Sequence, residues 1–191
     1  MGQGMCAGIR DVSNLAWKLA NCVGGRARDS LLDTYQSERV PHAQSYIETA
    51  VRLGRLINQA DTEAALRAAL KAPDGTARMS SIAPSLGSGL QAGNDQHRGV
   101  LGWQINQKNG SRFDDVVGQR FALIVKDDLA CSINATTNLL TIKTDQNPEA
   151  NEYLAELGVS AVVLRPDRYI LGTADTDEEL AGMLSVVQAI A

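Results

Sequence analysis

The first twenty residues carry apolar side chains at helical spacing. These positions recur at intervals of four and three residues and are Met5, Ile9, Val12, Ala16 and Leu19. Polar residues occupy the other faces, so the spacing predicts an amphipathic helix whose apolar face packs on another part of the protein. Gly24 and Gly25 then predict the end of this helix.

A second helical pattern follows. Asp29 or Ser30 is a suitable N-cap for it, and the helical pattern continues as far as Leu70. Asp61 or Thr62 is a candidate cap for a short helix that ends near Lys71. Pro41 interrupts the pattern, because proline lacks a backbone donor, and predicts a kink or a fresh helix start. Residues 1–71 are therefore predicted to be helical.

The pattern changes after a polar segment. Residues 72–99 are rich in Gly, Pro and Ser and predict a linker that marks a domain boundary. Residues 100–191 alternate short β-rich runs with helical ones. The predicted strands are Phe121–Val125, Leu139–Lys143, Ala161–Leu164 and Tyr169–Thr173, and the predicted helices are Pro148–Leu157 and one that begins at Thr176 or Asp177. This order predicts an α+β fold, and its last part has the order of the second half of a thioredoxin fold.

Composition excludes several classes of protein. The chain of 191 residues has a formal net charge of −4, so it lacks the basic surface typical of nucleic-acid binding. No apolar run approaches the roughly 20 residues of a membrane span, and the first residues do not have the layout of a signal peptide. We therefore expect a cytoplasmic protein that binds neither nucleic acid nor a membrane.

The sequence predicts neither a metal site nor a catalytic triad. Cys6, Cys22 and Cys131 lie far apart and form no C-x-x-C pair, and the chain has only two histidines. His42 and His97 are interpreted as solvated side chains of a helix and of the linker. We assign no catalytic residue and no metal ligand.

Glycines precede and open the first helix. Gly2, Gly4 and Gly8 do not match the dinucleotide fingerprint G-x-G-x-x-G, because the last spacing is one residue too long and no strand precedes them. Two interpretations stay open: the glycines allow close packing, or the helix N-terminus holds an anion or a cofactor. Cys6 in the first turn is interpreted as a small buried thiol.

Longer stretches resemble a known family. GQGMCAGIRDVSNLAWKLA at residues 2–20 and LLDTYQSERVPHA at residues 31–43 closely resemble the third flavin-contacting segment and following helix of class A FAD-dependent aromatic monooxygenases, in the 3-(3-hydroxyphenyl)propionate hydroxylase branch. FDD at 113–115, GQRFALIV at 118–125 and AVVLRPDRYIL at 161–171 are similar to the thioredoxin-like C-terminal domain of that branch and of phenol hydroxylases.

The resemblance implies a flavin site at the glycine-rich start. The residues that it assigns to FAD binding are Gly2, Gln3, Gly4, Met5 and Cys6. In the family this segment passes beside the isoalloxazine ring, and the helix N-terminus points at the pyrimidine side. A helix N-terminus stabilises the negative charge of reduced flavin by about 0.3 to 1 kcal/mol, and by roughly 2 kcal/mol where it is partly buried.

The resemblance also implies an incomplete enzyme. The family reduces FAD with NAD(P)H, uses oxygen and hydroxylates a small phenolic compound, and the segments that bind the pyrophosphate and the substrate precede the Gly-Gln-Gly segment. We therefore expect a catalytically incomplete fragment that does not bind FAD alone. Its parts are a helical remnant of the FAD-binding domain (1–71), a linker (72–99) and a thioredoxin-like domain (100–191).

Two other functions stay open. The chain could instead be an interaction module that self-associates as a homo-oligomer through the apolar face of the first helix. A thiol oxidoreductase that uses Cys131 alone is the third hypothesis, although the absence of C-x-x-C argues against disulfide exchange.

Family members often have glycine where Arg168 stands, and a positive φ at Arg168 would cost roughly 1 kcal/mol.

Overall fold

A computed structural model of the protein describes residues 4–59, 68, 82–90, 92–93, 96–105, 110–129 and 138–190. Two long helices come first, α1 (Gly4–Val23) and α2 (Ser30–Gln59). The later elements are, in chain order, α3 (Phe113–Val117), β1 (Phe121–Val125), β2 (Leu139–Lys143), a 3-10 turn (Thr144–Gln146), α4 (Pro148–Leu157), β3 (Ala161–Leu164), β4 (Ile170–Ala174) and α5 (Asp177–Gln188). The α+β class predicted from the sequence is confirmed.

The four strands form one mixed sheet in the order β2-β1-β3-β4. Strand β1 is parallel to β2 and antiparallel to β3, and β4 is antiparallel to β3. All five residues of β1 are buried, because the strand is internal to the sheet and covered on both faces. This burial explains why its sequence, FALIV, is a continuous apolar run.

Helices cover both faces of the sheet. On one face, Leu123 belongs to the same buried cluster as Met183 of α5, and Trp17 of α1 also joins this cluster. The ring of Trp17 contacts that of Phe121 edge to face, with 5.7 Å between centroids. On the other face, Ile124 packs in a second cluster that includes side chains of α3 and α4. The first helix therefore packs against the same face of the sheet as the last.

Local sequence signals account for most of the element ends. The bounds of β1, β2, β3 and α4 are those predicted, and β4 begins one residue later than predicted. The side chain of Asn147 accepts a hydrogen bond from Ala150 N, and Gly158 ends α4 with a φ of 70°. Thr176 and Glu179 form a capping box at the start of α5.

The helix α2 runs through Pro41, so the predicted fresh start is wrong. A proline inside a helix costs about 3 kcal/mol, because one hydrogen bond is lost and the ring crowds the preceding turn. Residues on both sides of Pro41 are buried in contacts outside α2, namely Glu38, Arg39 and His42. These contacts fix the backbone on both sides of the proline and offset its cost.

The apolar face of α1 is exposed, although the sequence predicted that it packs on another part of the protein. Met5, Ile9 and Val12 are 77%, 61% and 66% exposed. The side of α1 that is buried instead consists of Asn14, Trp17, Lys18 and Asn21. The reason is that α1 packs on α2 through Asn14 and Lys18 and on the sheet through Trp17, and the described residues do not cover its apolar face.

Part of the predicted linker lies between the helices and the sheet. Gly87 N donates to Glu38 O over 3.0 Å, and Ala92 N donates to Leu171 O over 3.0 Å. A side chain at Gly87 would overlap the carbonyl oxygen of Ser37, so only glycine fits this approach to α2. Residues 82–93, where described, therefore connect α2 to the strand β4.

Candidate functional site

The predicted cofactor residues lie at the start of α1. Gly4, Met5 and Cys6 form its first turn and are all exposed, whereas Gly2 and Gln3 lie outside the described residues. The prediction that Cys6 is a buried thiol is wrong. The first turn lies more than one helical turn before Asn14, the first residue of α1 that is buried, and this distance leaves Cys6 uncovered.

The N-terminal end of α1 is suited to a group with negative charge. Its first turn contains no acidic residue, so the partial positive charge of the helix end is not neutralised there. A Cβ added at Gly4 or Gly8 would meet no atom within 4 Å among the described residues. This open, positive and glycine-lined end fits the edge of a flavin ring, the group that the resemblance implies.

A buried carboxylate holds the opposite side of α1. Glu38 of α2 is fully buried, and its Oε2 accepts hydrogen bonds from Lys18 Nζ at 2.7 Å and from Asn14 Nδ2 at 2.9 Å. The other oxygen, Oε1, accepts from the backbone N–H of Leu90 at 2.8 Å. One side chain of α2 thus contacts α1 and the segment that leads to the sheet.

Arg165, at the end of β3, completes this cluster. Its Nη1 donates to Glu38 Oε1 at 2.9 Å and its Nη2 donates to Glu38 Oε2 at 2.7 Å, a bidentate pair. The guanidinium also donates to both carboxylate oxygens of Asp167, at 3.1 and 2.8 Å, and Asp167 accepts from Asn14 Nδ2 at 2.9 Å. We name this set, Asn14, Lys18, Glu38, Arg165 and Asp167, the buried ion network.

The buried ion network is balanced in charge, with two cations and two anions. Burial alone would raise the pKa of Glu38, but the charge and hydrogen bonds of Arg165 and the charge of Lys18 outweigh it and lower the pKa to about 2. Burial lowers the pKa of Lys18, and the adjacent Glu38 opposes this change. Glu38 therefore carries its charge at neutral pH, with Arg165 and Lys18 as its cationic partners.

His42 lies beside the network and is buried, so the prediction of a solvated histidine is wrong. Arg39 Nη1 donates to His42 Nδ1 at 3.0 Å, which leaves the ring proton on Nε2, 3.0 Å from Tyr169 Oη. Burial and the charges of Arg39 and Arg10 lower the pKa of His42 to about 4. This neutral imidazole joins α2 to β4, since Tyr169 directly precedes that strand. The other histidine, His97, is half-buried rather than fully solvated.

Sequence reasoning did not identify the buried ion network. Asn14 and Lys18 belong to the polar faces of the first predicted helix, and each member of the network alone resembles an ordinary surface residue. Glu38 and Arg165 are 127 positions apart, so no local spacing relates them. The structure does confirm that Arg168 has a positive φ, of 68°.

Neither metal nor membrane features occur in the part of the chain that the structure describes. No three His, Cys, Asp or Glu side chains there are grouped so that they could hold a metal ion. The described helices also lack the length and apolar character needed to cross a bilayer. Cys131, the candidate thiol, lies outside the described residues.

Comparisons with known proteins bear on the family of the chain. Residues 1–50 match the family described as FAD binding domain. The chain aligns with the "Probable NADH-specific resorcinol 4-hydroxylase" of Rhodococcus jostii at 32% identity, over 100% of this chain and 40% of that protein. It is 46% identical to the 3-(3-hydroxy-phenyl)propionate/3-hydroxycinnamic acid hydroxylase of Mycobacterium avium over 85 residues, which are 44% of this chain and 14% of that protein.

A solved structure has a similar fold. The flavin-dependent monooxygenase PieE, in complex with FAD and substrate, matches 99% of this chain and 44% of its own chain with a TM-score of 0.68. At 22% identity this likeness shows the fold alone. The resemblance to FAD-dependent aromatic monooxygenases is thus confirmed, and the chain spans 40% of the length of the Rhodococcus jostii relative.

The buried imidazole predicts a pH-dependent stability. The pKa of His42 is about 4 in the folded state and near 6.5 when unfolded, so the unfolded chain binds more protons between these values. Stability should therefore fall as the pH is lowered from 6.5 to 4, with Arg39 and Arg10 opposing protonation and Asp11 favouring it. Urea unfolding of the wild type and of His42→Gln at several pH values measures this effect.

The comparison between the two proteins has a clear outcome. At pH 7 to 8 the free energies of unfolding of the wild type and of His42→Gln should differ by a constant amount. That difference should shrink as the pH falls to 4. A constant difference across this range would show that His42 does not titrate as its surroundings indicate.

Proposed function

We propose that this chain supplies the flavin-facing helix, and the unit that supports it, of an FAD-dependent enzyme that hydroxylates a small phenolic compound with NAD(P)H. The observation that carries the proposal is the open first turn of α1, held from its opposite side by the buried ion network. The name of the Rhodococcus jostii relative, "Probable NADH-specific resorcinol 4-hydroxylase", supports the reaction class and the cosubstrate.

The flavin-binding residues proposed from the resemblance are Gly2, Gln3, Gly4, Met5 and Cys6. In this proposal the free N–H groups of the first turn face the negative pyrimidine edge of the ring. Gly4 leaves space for the ring because it has no side chain, and the exposed Met5 offers an apolar contact. FAD, when bound, supplies the redox and oxygen chemistry, and these residues bind and orient it.

We further propose that the chain is catalytically incomplete by itself. It covers 40% of the Rhodococcus jostii relative, and the uncovered part of that relative is available to supply the pyrophosphate and substrate sites. The exposed apolar face of α1 supports this view, because an apolar surface of this kind is normally covered by protein. The residues concerned are Met5, Ile9, Val12 and Leu19.

We assign a supporting role, and no redox role, to residues 100–191, the α+β unit. The sheet order β2-β1-β3-β4, with β1 parallel to β2 and the other two pairings antiparallel, supports a thioredoxin-like domain for residues 100–191. Residues 1–71 then form the helical part of the FAD-binding domain, joined by the linker 72–99. The sequence contains no C-x-x-C, and a cytoplasmic location suits an enzyme that uses NAD(P)H.

A flavin titration tests the proposal. We expect the chain alone to show no saturable change in FAD fluorescence at tens of micromolar, because the pyrophosphate site is missing. Mixed with a polypeptide made from the uncovered part of the Rhodococcus jostii relative, it should bind FAD with saturation. Saturable binding by the chain alone would contradict its incompleteness.

Glycine substitutions test where the ring lies. Gly4→Leu should abolish FAD binding in the mixture, because the new side chain would occupy the space of the ring. The matched control is Gly182→Leu on α5, where an added Cβ likewise meets no described atom. Equal FAD binding by both variants would contradict the placement of the ring at α1.

The second candidate is an interaction module without catalytic activity, favoured by the same exposed apolar face. Light scattering should then give the mass of a homo-oligomer that rises with concentration, and the double variant Ile9→Ser/Val12→Ser should remain a monomer. Both side chains are more than half exposed, so these changes should not affect folding. A single-chain mass for the wild type at high concentration would contradict this function.

A further inference from the structure

We propose that Arg165 is a positioning residue: through Glu38 it fixes the direction of α1, and so the location of the helix N-terminus. The consequence for the cofactor rests on the proposed function, but the effect on α1 does not. Glu38 contacts α1 at Asn14 and Lys18, well after its first turn, and Arg165 acts on α1 through Glu38.

Arg165 has no freedom to rotate. Its five N–H donors make five hydrogen bonds: one from Nε to Asp167, two from Nη1 to Glu38 and to Leu90 O, and two from Nη2 to Glu38 and to Asp167. These contacts use both oxygens of each carboxylate. Counted by donor, Nε makes one bond and each terminal nitrogen makes two, so every N–H group is used. The guanidinium also lies 5.4 Å from the centre of the Trp17 ring.

Glu38 transmits this fixed position to α1. The oxygen that accepts from Arg165 Nη2 also accepts from Lys18 and Asn14, which lie one turn apart on the same face of α1. A movement of the Arg165 guanidinium would therefore shift Glu38, the hydrogen-bond acceptor that two α1 side chains share. The side chains of both Glu38 and Arg165 are at most 1% exposed, so water does not compete for these bonds.

Because α1 is rigid, a small change in its direction at Asn14 moves its N-terminus by a larger distance. Gly4 is ten residues before Asn14, a distance of about 15 Å along the axis at a rise of 1.5 Å per residue. A tilt of about 8° at Asn14 would therefore move the N-terminus by about 2 Å. Errors of about 1 Å in the placement of reacting groups reduce rates by about a hundredfold, so a small tilt would matter to an enzyme.

The guanidinium shape is needed for this role, and charge alone is not sufficient. Lysine keeps the positive charge but has one nitrogen, which cannot span both oxygens of Glu38 and both oxygens of Asp167. The variant Arg165→Lys therefore separates positioning from charge balance. Arg168→Lys is the matched control, because Arg168 lies in the same turn but makes no hydrogen bond to the described residues of α1 or α2. Its hydrogen bonds go to Asp114, Gly118, Arg120 and Pro166.

Distances between spin labels measure the direction of α1. One label is attached to the natural, exposed Cys6 and the other to Glu152→Cys, an exposed position on α4. Cys22→Ser and Cys131→Ser remove the remaining thiols. Pulsed electron paramagnetic resonance then gives the distance distribution between the first turn of α1 and the α+β unit.

The expected result is that the distance distribution shifts or broadens in Arg165→Lys, by about 2 Å for a tilt of about 8°. In Arg168→Lys the distribution should equal that of the wild type. A wild-type distribution in folded Arg165→Lys would overturn the proposal. Circular dichroism checks folding, and if Arg165→Lys is unfolded, Glu38→Gln carries the test, since it is nearly isosteric. A wild-type distribution in folded Glu38→Gln would equally overturn the proposal.

Flavin binding separates this proposal from the proposed function. In the mixture with the uncovered part of the relative, Arg165→Lys should weaken FAD binding by about tenfold, which is about 1.4 kcal/mol. A changed label distance with unchanged FAD binding would support the positioning of α1 and contradict the flavin site at its N-terminus. An unchanged label distance would overturn the positioning role, whatever the FAD affinity.

Discussion

The structure depends on one buried contact, the bidentate pair between Glu38 and Arg165. Two charges removed from water cost several kcal/mol each, and only well-placed partners repay that cost. Lys18, Asn14 and Asp167 provide those partners, so the network is neutral and almost every donor is used. Removal of one partner of such a pair costs about 3 to 5 kcal/mol, because the other charge stays buried. The network therefore favours one arrangement of the helices on the sheet.

This contact explains why α1 has an apolar outer face. A helix at the edge of a domain ordinarily turns its apolar side inward, but the inner side of α1 must carry Asn14 and Lys18 to reach Glu38. Trp17 is the apolar member of this side and connects it to the sheet through Phe121. The apolar positions then face outward, where a further protein surface can cover them. The buried ion network thus holds one part of α1, while the first turn of the same helix stays exposed.

Secondary structure could be predicted from the sequence because its signals are local. Strand Phe121–Val125 is a continuous apolar run, and Gly158 and Thr176 act through backbone groups within a few residues. Pro41 misled the prediction because contacts from distant residues compensate its local cost. The spacing of apolar residues did not predict which face of α1 is buried, because it identifies an amphipathic helix but not the surface on which the helix packs.

The site could be predicted only as far as the resemblance extended. The glycine-rich start was predicted to face a flavin by likeness to a family, while its spacing alone left two interpretations open. The supporting residues were missed, since Glu38 and Arg165 meet only after folding across 127 positions. His42 was misjudged for the same reason: its partner Tyr169 is equally remote in the sequence.

The central claim is that the two helices and the sheet form one cooperative unit joined by the buried ion network. Native-state hydrogen exchange tests it most directly, by comparing the amides of Trp17 in α1 and Leu123 in β1. The account predicts that both exchange with the same free energy of opening, that of global unfolding. Exchange of the Trp17 amide through an opening of much lower free energy, with Leu123 still protected, would show that α1 detaches independently and would contradict the account.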